Sequence, residues 1–403
     1  SRGTRTDSVS TRVIVRSCTF ILLWLETIPN SKPEFWNVNT KDGNHFWKFS
    51  RNYFHNFRLG LVWPDVRHGR ITIHHVAKKA GVAISSVSRV LSNHADVSED
   101  MRLKVEKAVA ELGYEPDYLA QSLRRGATQT IGFMIRDITN PLFSIVAQSA
   151  EFELHKAGYS IILINSHGDA ATEKENFSLF KRRRIDGIIA SLVSEDSSQA
   201  KSIINNLGIP VVLLDREVTG LKASAVICDH ASGVKAATSD LIKNGHKKIA
   251  FISGMKDLLI TRNRLKGFED ACAQARIKID PNCVRLGNFS EEYSYKETLD
   301  LFANKKRPTA LIAGGISPSA GALYALKELK LKAGKDVAFV ALDEWPMFDL
   351  LSGDLSSVYR DPMEIGRESA RLMMNLIDGR PTSQAVIQTQ YRRRLSSKRV
   401  ING

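Results

Sequence analysis

The chain has 403 residues, 43% of them hydrophobic, an ordinary share for a globular protein and enough for two or three domains with sizeable cores. Its formal net charge of +14 makes an acidic partner plausible, nucleic acid first among them. Cys18, Cys228, Cys272 and Cys283 form no C-x-x-C pair and have no histidine at metal-ligand spacing, which argues against a disulfide framework or a thiolate metal site and for free thiols in a reducing cytosol.

Residues 1–70 hold eleven Lys and Arg against five Asp and Glu, so a good part of the positive charge sits there. They show no sustained period and are rich in Phe, Trp and Asn. The apolar run from Cys18 to Leu25, after Arg12 and Arg16, is too short to span a membrane and has no small-residue cleavage site before Glu26. This segment reads as an extension without stable structure, and the folded protein is expected to start near Ile71.

From Ile71 to Leu91 the chain runs ITIHHVAKKAGVAISSVSRVL. Thr72 can cap a helix by accepting from a first-turn N–H, and Ile73, Val76, Ala77 and Ala80 recur as one buried stripe. Gly81 ends that helix where a left-handed turn is needed. The next run buries Val87, Val90 and Leu91 and turns Ile84, Ser85, Ser86 and Arg89 outward. Helix, glycine turn and small-residue helix is the geometry of a DNA-reading helix-turn-helix. After a polar turn, Ser98 caps a third helix with Glu99 and Asp100 in its first turn, a stripe of Met101, Val105, Ala108, Val109 and Leu112, and a stop at Gly113. Residues 71–113 are therefore expected to form an all-α headpiece. The following YEPDYLAQSLRRG, Tyr114 to Gly126, has room for a helix of barely two turns, marginal alone in water.

VAKKAGVAISSVSRVLSN resembles the headpiece of the LacI/GalR family of bacterial transcriptional regulators, whose usual pattern is close to TIxDVAxxAGVSxxTVSRVLN. Three positions depart: His75 stands for an acidic residue, Ala83 for a serine and Ser86 for a threonine. Ala83 removes a hydroxyl that would cap the helix or touch a phosphate. The resemblance implies DNA contacts from Thr72, Ile84, Ser85, Ser86, Ser88, Arg89 and Asn93. Residues 114–127 match the family's hinge helix, which folds on operator DNA. There Tyr118, Leu123 and Arg124 are the implied contacts, with Leu123 wedged into the minor groove and Arg124 and Arg125 against phosphates.

Beyond Thr130, short apolar strands alternate with amphipathic helices: TIGFMI (130–135), YSIILIN (159–165), GIIAS (187–191), PVVLLD (210–215), AVICD (225–229), KIAFIS (248–253), TALIAG (309–314) and DVAFVAL (336–342). Continuous apolar runs imply strands buried on both faces, hence parallel sheets. So many units exceed one compact sheet, and an α/β core of two doubly wound lobes with a cleft between them is expected. Ligands of open α/β sheets lie beyond the carboxyl ends of the strands.

The resemblance continues through DITNPLF (137–143), IDGIIAS (185–191), GIPVVLLDRE (208–217), NGHKKIAFISG (244–254), RNRLKGF (262–268) and AFVALDE (338–344), and implies a core like the type I periplasmic sugar-binding proteins. It implies three crossings between lobes, with one lobe of about 128–229 plus 359–384 and the other of about 230–358 plus 385–400. Carried over position by position, effector-binding residues are Asp137, Asn140, Leu142 and Phe143 after the first strand, Asp215 and Arg216, Arg264, Phe289, and Asp343. The aspartates would accept from sugar hydroxyls, an arginine fork would hold ring or acid oxygens, and aromatics would stack on sugar faces. Where many members carry Asn-Asp, this chain has Gly315 and Ile316. With Arg136 and Arg216 beside Arg264, the cleft reads as basic, which favours a sugar acid or sugar phosphate.

The expected function is a ligand-responsive DNA-binding regulator, a repressor that grips a pseudo-palindromic operator as a homodimer. No tetramer is expected, because no leucine heptad follows Arg399. The competing reading is a periplasmic-type solute-binding protein, which shares the core but has no counterpart of residues 71–126. No enzyme is expected: no G-x-G-x-x-G or G-x-x-x-x-G-K-[ST] follows a strand, GGISPSAG fits neither phosphate loop, and there is no G-x-S-x-G elbow. No metal, cofactor or membrane partner is implied, and the location expected is the cytoplasm.

Overall fold

A computed structural model describes residues 36–39, 45–48, 71–92, 94–115, 126–195, 198–216, 219–303, 306–352 and 354–398. The chain divides into two compact units, 1–115 and 116–403. In the first, β1 (Trp36–Asn39) and β2 (His45–Lys48) pair antiparallel within the segment expected to lack structure.

The headpiece consists of α1 (Ile73–Ala80), α2 (Ile84–Leu91) and α3 (Glu99–Leu112). Gly81 takes φ 67°, a left-handed conformation that turns the chain sharply between α1 and α2. Val76, Ala77, Val87, Val90, Val105, Ala108 and Tyr114 make the small core, with Met101, Val109 and Leu112 packed against it. Ser98 caps α3 by accepting from the Met101 N–H at 3.4 Å.

The second unit contains two six-stranded sheets. Its elements are β3 (Thr130–Ile135), α4 (Pro141–Lys156), β4 (Ser160–Asn165), α5 (Ala170–Arg182), β5 (Gly187–Ala190), α6 (Ser198–Asn206), β6 (Val211–Leu214) and β7 (Ser224–Cys228). They continue with α7 (His230–Lys243), β8 (Ile249–Ser253), α8 (Leu259–Gln274), β9 (Val284–Leu286), α9 (Glu291–Phe302), β10 (Ala310–Ala313), α10 (Ile316–Glu328) and β11 (Ala338–Leu342). The last are α11 (Met347–Ser352), β12 (Ser356–Tyr359), α12 (Pro362–Ile377), β13 (Gln384–Ile387) and β14 (Gln390–Arg392). The first sheet has the order β13-β7-β6-β5-β3-β4 and the second β14-β12-β11-β10-β8-β9. All pairings are parallel except β12 with β14. Strands such as Val211–Leu214 and Ala338–Leu342 are buried at every position, which is what an unbroken apolar run between two helical layers produces.

The chain passes from the first sheet to the second after β7, returns after β12, and crosses again after β13. On the return, α12 packs on the first lobe's α4, where Ser149 Oγ donates to the Met363 carbonyl at 2.6 Å. The last crossing comes later than the boundary read from the sequence, which sends the chain into the second lobe at 385. Ala385, Val386 and Ile387 instead pair in register with Val226, Ile227 and Cys228 of β7 in the first sheet, and the antiparallel β14 alone is left for the second. An amphipathic edge strand has no continuous apolar run to announce its sheet.

Candidate functional site

In the headpiece, Thr72 precedes α1 with extended backbone. Thr72 and His75 form a reciprocal capping box in which the Thr72 N–H donates to His75 Nδ1 at 3.0 Å, and the Thr72 hydroxyl lies 2.9 Å from the same atom. His75 thus supplies a side-chain acceptor at the position where the pattern carries an acid. On α2, Ile84, Ser85 and Arg89 are exposed, Ser86 and Ser88 are half-buried, and Val87 and Val90 face inward. Ala83 opens α2 with no side-chain cap. Asn93, Tyr118, Leu123 and Arg124 lie outside the described residues.

In the core, the nine residues expected to face a ligand line one cavity at the carboxyl ends of strands from both sheets. Asp137, Asn140, Leu142 and Phe143 follow β3, Asp215 and Arg216 follow β6, Arg264 lies on α8, Phe289 precedes α9, and Asp343 follows β11. The cavity holds about 870 Å³ of atom-free space, its open mouth included. Asn140 also caps α4, accepting from the Leu142 N–H at 3.1 Å.

The two central aspartates do not present free carboxylates. Asp215 (φ 48°) and Asp343 (φ 78°) both take left-handed backbone conformations just past their strands, which turns their side chains along the cavity wall. Arg360, just past β12, donates from Nε to Asp343 Oδ1 at 2.7 Å and from Nη2 to Oδ2 at 3.2 Å, while its Nη1 donates to Asp215 Oδ2. Arg264 donates from Nη2 to Asp343 Oδ2 at 3.2 Å, from Nη1 to the Gly314 carbonyl at 3.1 Å, and from Nε to His230 Nδ1 at 3.3 Å. Since a guanidinium can only donate, His230 Nδ1 is an acceptor, and its proton sits on Nε2, which faces Asp215 Oδ2 at 3.1 Å. Asp215 Oδ1 accepts from the Cys228 N–H at 2.8 Å.

Two arginines, two aspartates and a neutral histidine are thus buried with balanced charge. Burial pushes the Asp343 carboxyl up, but Arg360 and Arg264 outweigh it and leave it at about 2. For Asp215, burial acts upward too, and His230 with Arg360 holds it well below the usual carboxylate range. Burial lowers His230 from its ordinary value, against the pull of Asp215.

Asp215, Cys228 and His230 bring three potential metal-ligand atoms within 4.8 Å of one another. Their geometry is that of a guanidinium seat: Arg360 Nη1 donates to Asp215 and lies 3.7 Å from Cys228 Sγ, and Arg264 occupies His230 Nδ1. Burial also pushes the Cys228 thiol up, away from the thiolate form.

Arg216 is held in the same manner. Its Nε donates to the Leu192 carbonyl at 2.7 Å, and Glu195 Oε1 lies 4.0 Å away. Glu195 reaches across the cleft: both its oxygens accept from the Leu259 N–H at 3.0 Å, and Arg262 Nη2 lies 3.0 Å from Oε2. Leu258 offers α8 no side-chain cap, so the first lobe's carboxylate caps the second lobe's helix.

Residues 72–117 match the profile of bacterial regulatory proteins of the lacI family, and residues 238–397 that of the periplasmic binding protein-like domain. The ribose operon repressor of Bacillus subtilis is 31% identical over 317 residues, covering 79% of this chain and 95% of that protein. The chain belongs to the LacI family. It is a LacI-family transcriptional repressor with a DNA-binding and an effector-binding domain. The HTH-type transcriptional repressor PurR of Vibrio parahaemolyticus is 29% identical over 79% of this LacI-family chain and 96% of its own. Among solved structures, a putative ribose operon repressor from Burkholderia thailandensis matches at 28% identity and a TM-score of 0.61, over 66% of this chain and 98% of that one. The lac repressor dimer bound to operator and the anti-inducer ONPF shares the fold, with a TM-score of 0.72 at 24% identity over 82% of this chain and 100% of that one.

Sequence reasoning passes over three residues of this LacI-family site: Arg360, His230 and Glu195. For Arg360 a signal exists, because YRDP places a cation between a strand end and a helix start, where cavity carboxylates converge. Glu195 has none, since its partners are a backbone amide and an arginine more than sixty residues away. The basic cleft read from Arg136, Arg216 and Arg264 is narrower than expected, because carboxylates balance Arg216 and Arg264, and Arg136 has no ion pair among the described residues.

Proposed function

We propose that this LacI-family repressor binds a pseudo-palindromic operator as a homodimer in the cytoplasm, with residues 114–127 as its hinge, and that a small carbohydrate-like effector, a sugar or sugar acid, sets its operator affinity from the cavity. The observation that carries this reading is the convergence of the nine expected residues on one cavity in a chain that also holds a helix-turn-helix with an exposed reading face. A repressor dimer on operator DNA is the assembly named for one structural neighbour, and a ribose operon is the target named for one relative. For the dimer, the second lobe offers an exposed apolar face of Tyr324, Met347 and Leu350, the last 81% exposed, beside a groove lined by Leu323, Leu331 and Phe348. No helix among the described residues is long and apolar enough to cross a membrane.

Selection from random DNA with the full chain tests this reading. The expected product is an inverted repeat that carries two chains per duplex by mass. Arg89→Ala should cost about 1–3 kcal/mol and relax one position of each half-site, as loss of a base contact does. Failure to enrich any sequence, or one chain per site, would overturn the proposal.

A further inference from the structure

The charged groups of the cavity wall differ in how much hydrogen-bonding capacity they leave for a ligand. Four arginines and three aspartates line it: Arg136, Arg216, Arg264 and Arg360 against Asp137, Asp215 and Asp343. Asp215 and Asp343 spend their oxygens on Arg360, Arg264, His230 and a backbone amide. The carboxylate of Asp137 folds back on its own loop, where Oδ1 accepts from the Thr139 N–H at 2.9 Å and both oxygens lie 2.8 Å from the Thr139 hydroxyl. The carboxylates of the wall are therefore engaged within the wall itself.

Arg136 is the exception among the cations. It is half-buried at the end of β3, has no ion pair among the described residues, and rests 6.0 Å from the centre of the Phe289 ring. Its Nε lies 3.0 Å from where a Cβ on Gly168 would stand, so the absence of a side chain at 168 makes room for the guanidinium. Burial acts against its charge, and the neighbouring Asp137 offsets this in part. Gly315, also on the cavity wall, opens α10 with φ 131° and no side-chain cap; its own N–H donates to the Ala313 carbonyl and Pro318 has none, so Ile316 and Ser317 carry the remaining first-turn amides. An amide side chain is missing there, and the backbone conformation disfavours any residue that would restore it.

We propose that Arg136 is the anion-recognition point of the cavity and that the effector is a monosaccharide-sized anion, a sugar carboxylate or sugar phosphate, which supplies the acceptors the wall lacks. The proposal rests on the cavity being the effector site. A bidentate arginine–carboxylate or arginine–phosphate contact is the strongest pairing a single side chain can offer such a group, and the neighbouring Phe289 and Phe143 give its ring apolar faces to lie on.

The test titrates D-gluconate, D-glucuronate and a glucose phosphate, against neutral D-glucose and D-ribose, into the full chain by calorimetry. At least one anion should bind ten times more tightly than every neutral sugar, and the carboxylate and phosphate arms show which group is read. Arg136→Gln should weaken that anion tenfold or more with the ligand-free melting temperature unchanged, whereas Arg136→Lys, which keeps the charge but not the fork, should weaken it less than Arg136→Gln. A neutral sugar that binds as well as its acid, no binding by any of the anions, or an anion whose affinity Arg136→Gln leaves intact would overturn the anion assignment. Ser317→Trp, which fills the cavity, should abolish binding. Binding that survives it would place the ligand elsewhere and overturn the effector-site reading itself.

Discussion

His230 sits where one proton decides the charge balance of the cavity wall. In the folded chain it is buried, accepts from Arg264 and donates to Asp215, and burial lowers its pKa. An unfolded histidine takes up a proton below about pH 6.5, so the unfolded state binds more protons there and folding stability falls as pH drops. The slope for one such group is at most about 1.4 kcal/mol per pH unit. Asp343, at about 2, and Asp215, held below the usual range, stay ionised throughout that interval. His246, whose pKa burial also lowers, contributes with the same sign. His230→Gln keeps an acceptor and a donor in place, so urea unfolding from about pH 7.5 to 5 should show a shallower loss of stability than the native chain without becoming flat. Equal slopes in the two proteins would show that His230 is not the neutral partner of Arg264.

At the scale of elements, α2 begins without a side-chain cap because Ala83 has no hydroxyl, and its first turn closes on the Ala83 carbonyl, which accepts from Ser86 and Val87. Ala83→Ser should stabilise this helix by about 0.5–1 kcal/mol, the usual worth of such a cap, read as slower hydrogen exchange of the amides of residues 85–87. Unchanged exchange would mean that the helix is already held by its packing on Val76 and Val105 alone. Seven of the eight strands legible in the sequence are almost wholly buried between helical layers, and the eighth, Ser160–Asn165, lies at a sheet edge with no fully buried residue, its apolar run having read the same as the others. The strands Val284–Leu286, Ser356–Tyr359, Gln384–Ile387 and Gln390–Arg392 were not legible, because their burial depends on partners far along the chain. Ser356 and Ser357 are buried serines: Ser356 Oγ lies 2.8 Å from Ser397 Oγ and its N–H donates to Ser396 Oγ at 2.7 Å, across some forty residues. No periodicity encodes that. The site divides in the same way. Asp215, Arg264 and Asp343 could be placed from motif resemblance, but their mutual occupation through Arg360 required coordinates, since it depends on where three strand ends meet.

The whole effector-binding unit is two sheets joined by three crossings and tied across the cleft by Arg360, which engages Asp215 and Asp343, and by Glu195, which caps α8. A ligand lodged between those ties can alter operator affinity only by binding the DNA-competent arrangement of the chain more or less tightly than the alternative. Coupling of this kind is reciprocal and typically amounts to about 1–3 kcal/mol, a change of roughly 5- to 150-fold in affinity. The most direct measurement is therefore the affinity of the selected operator at zero and saturating sugar anion, paired with the affinity of that anion for the free and operator-bound chain. The account predicts that both affinities change in the same direction by the same factor, within that range. An operator affinity that stays constant while the anion saturates the cavity would contradict it.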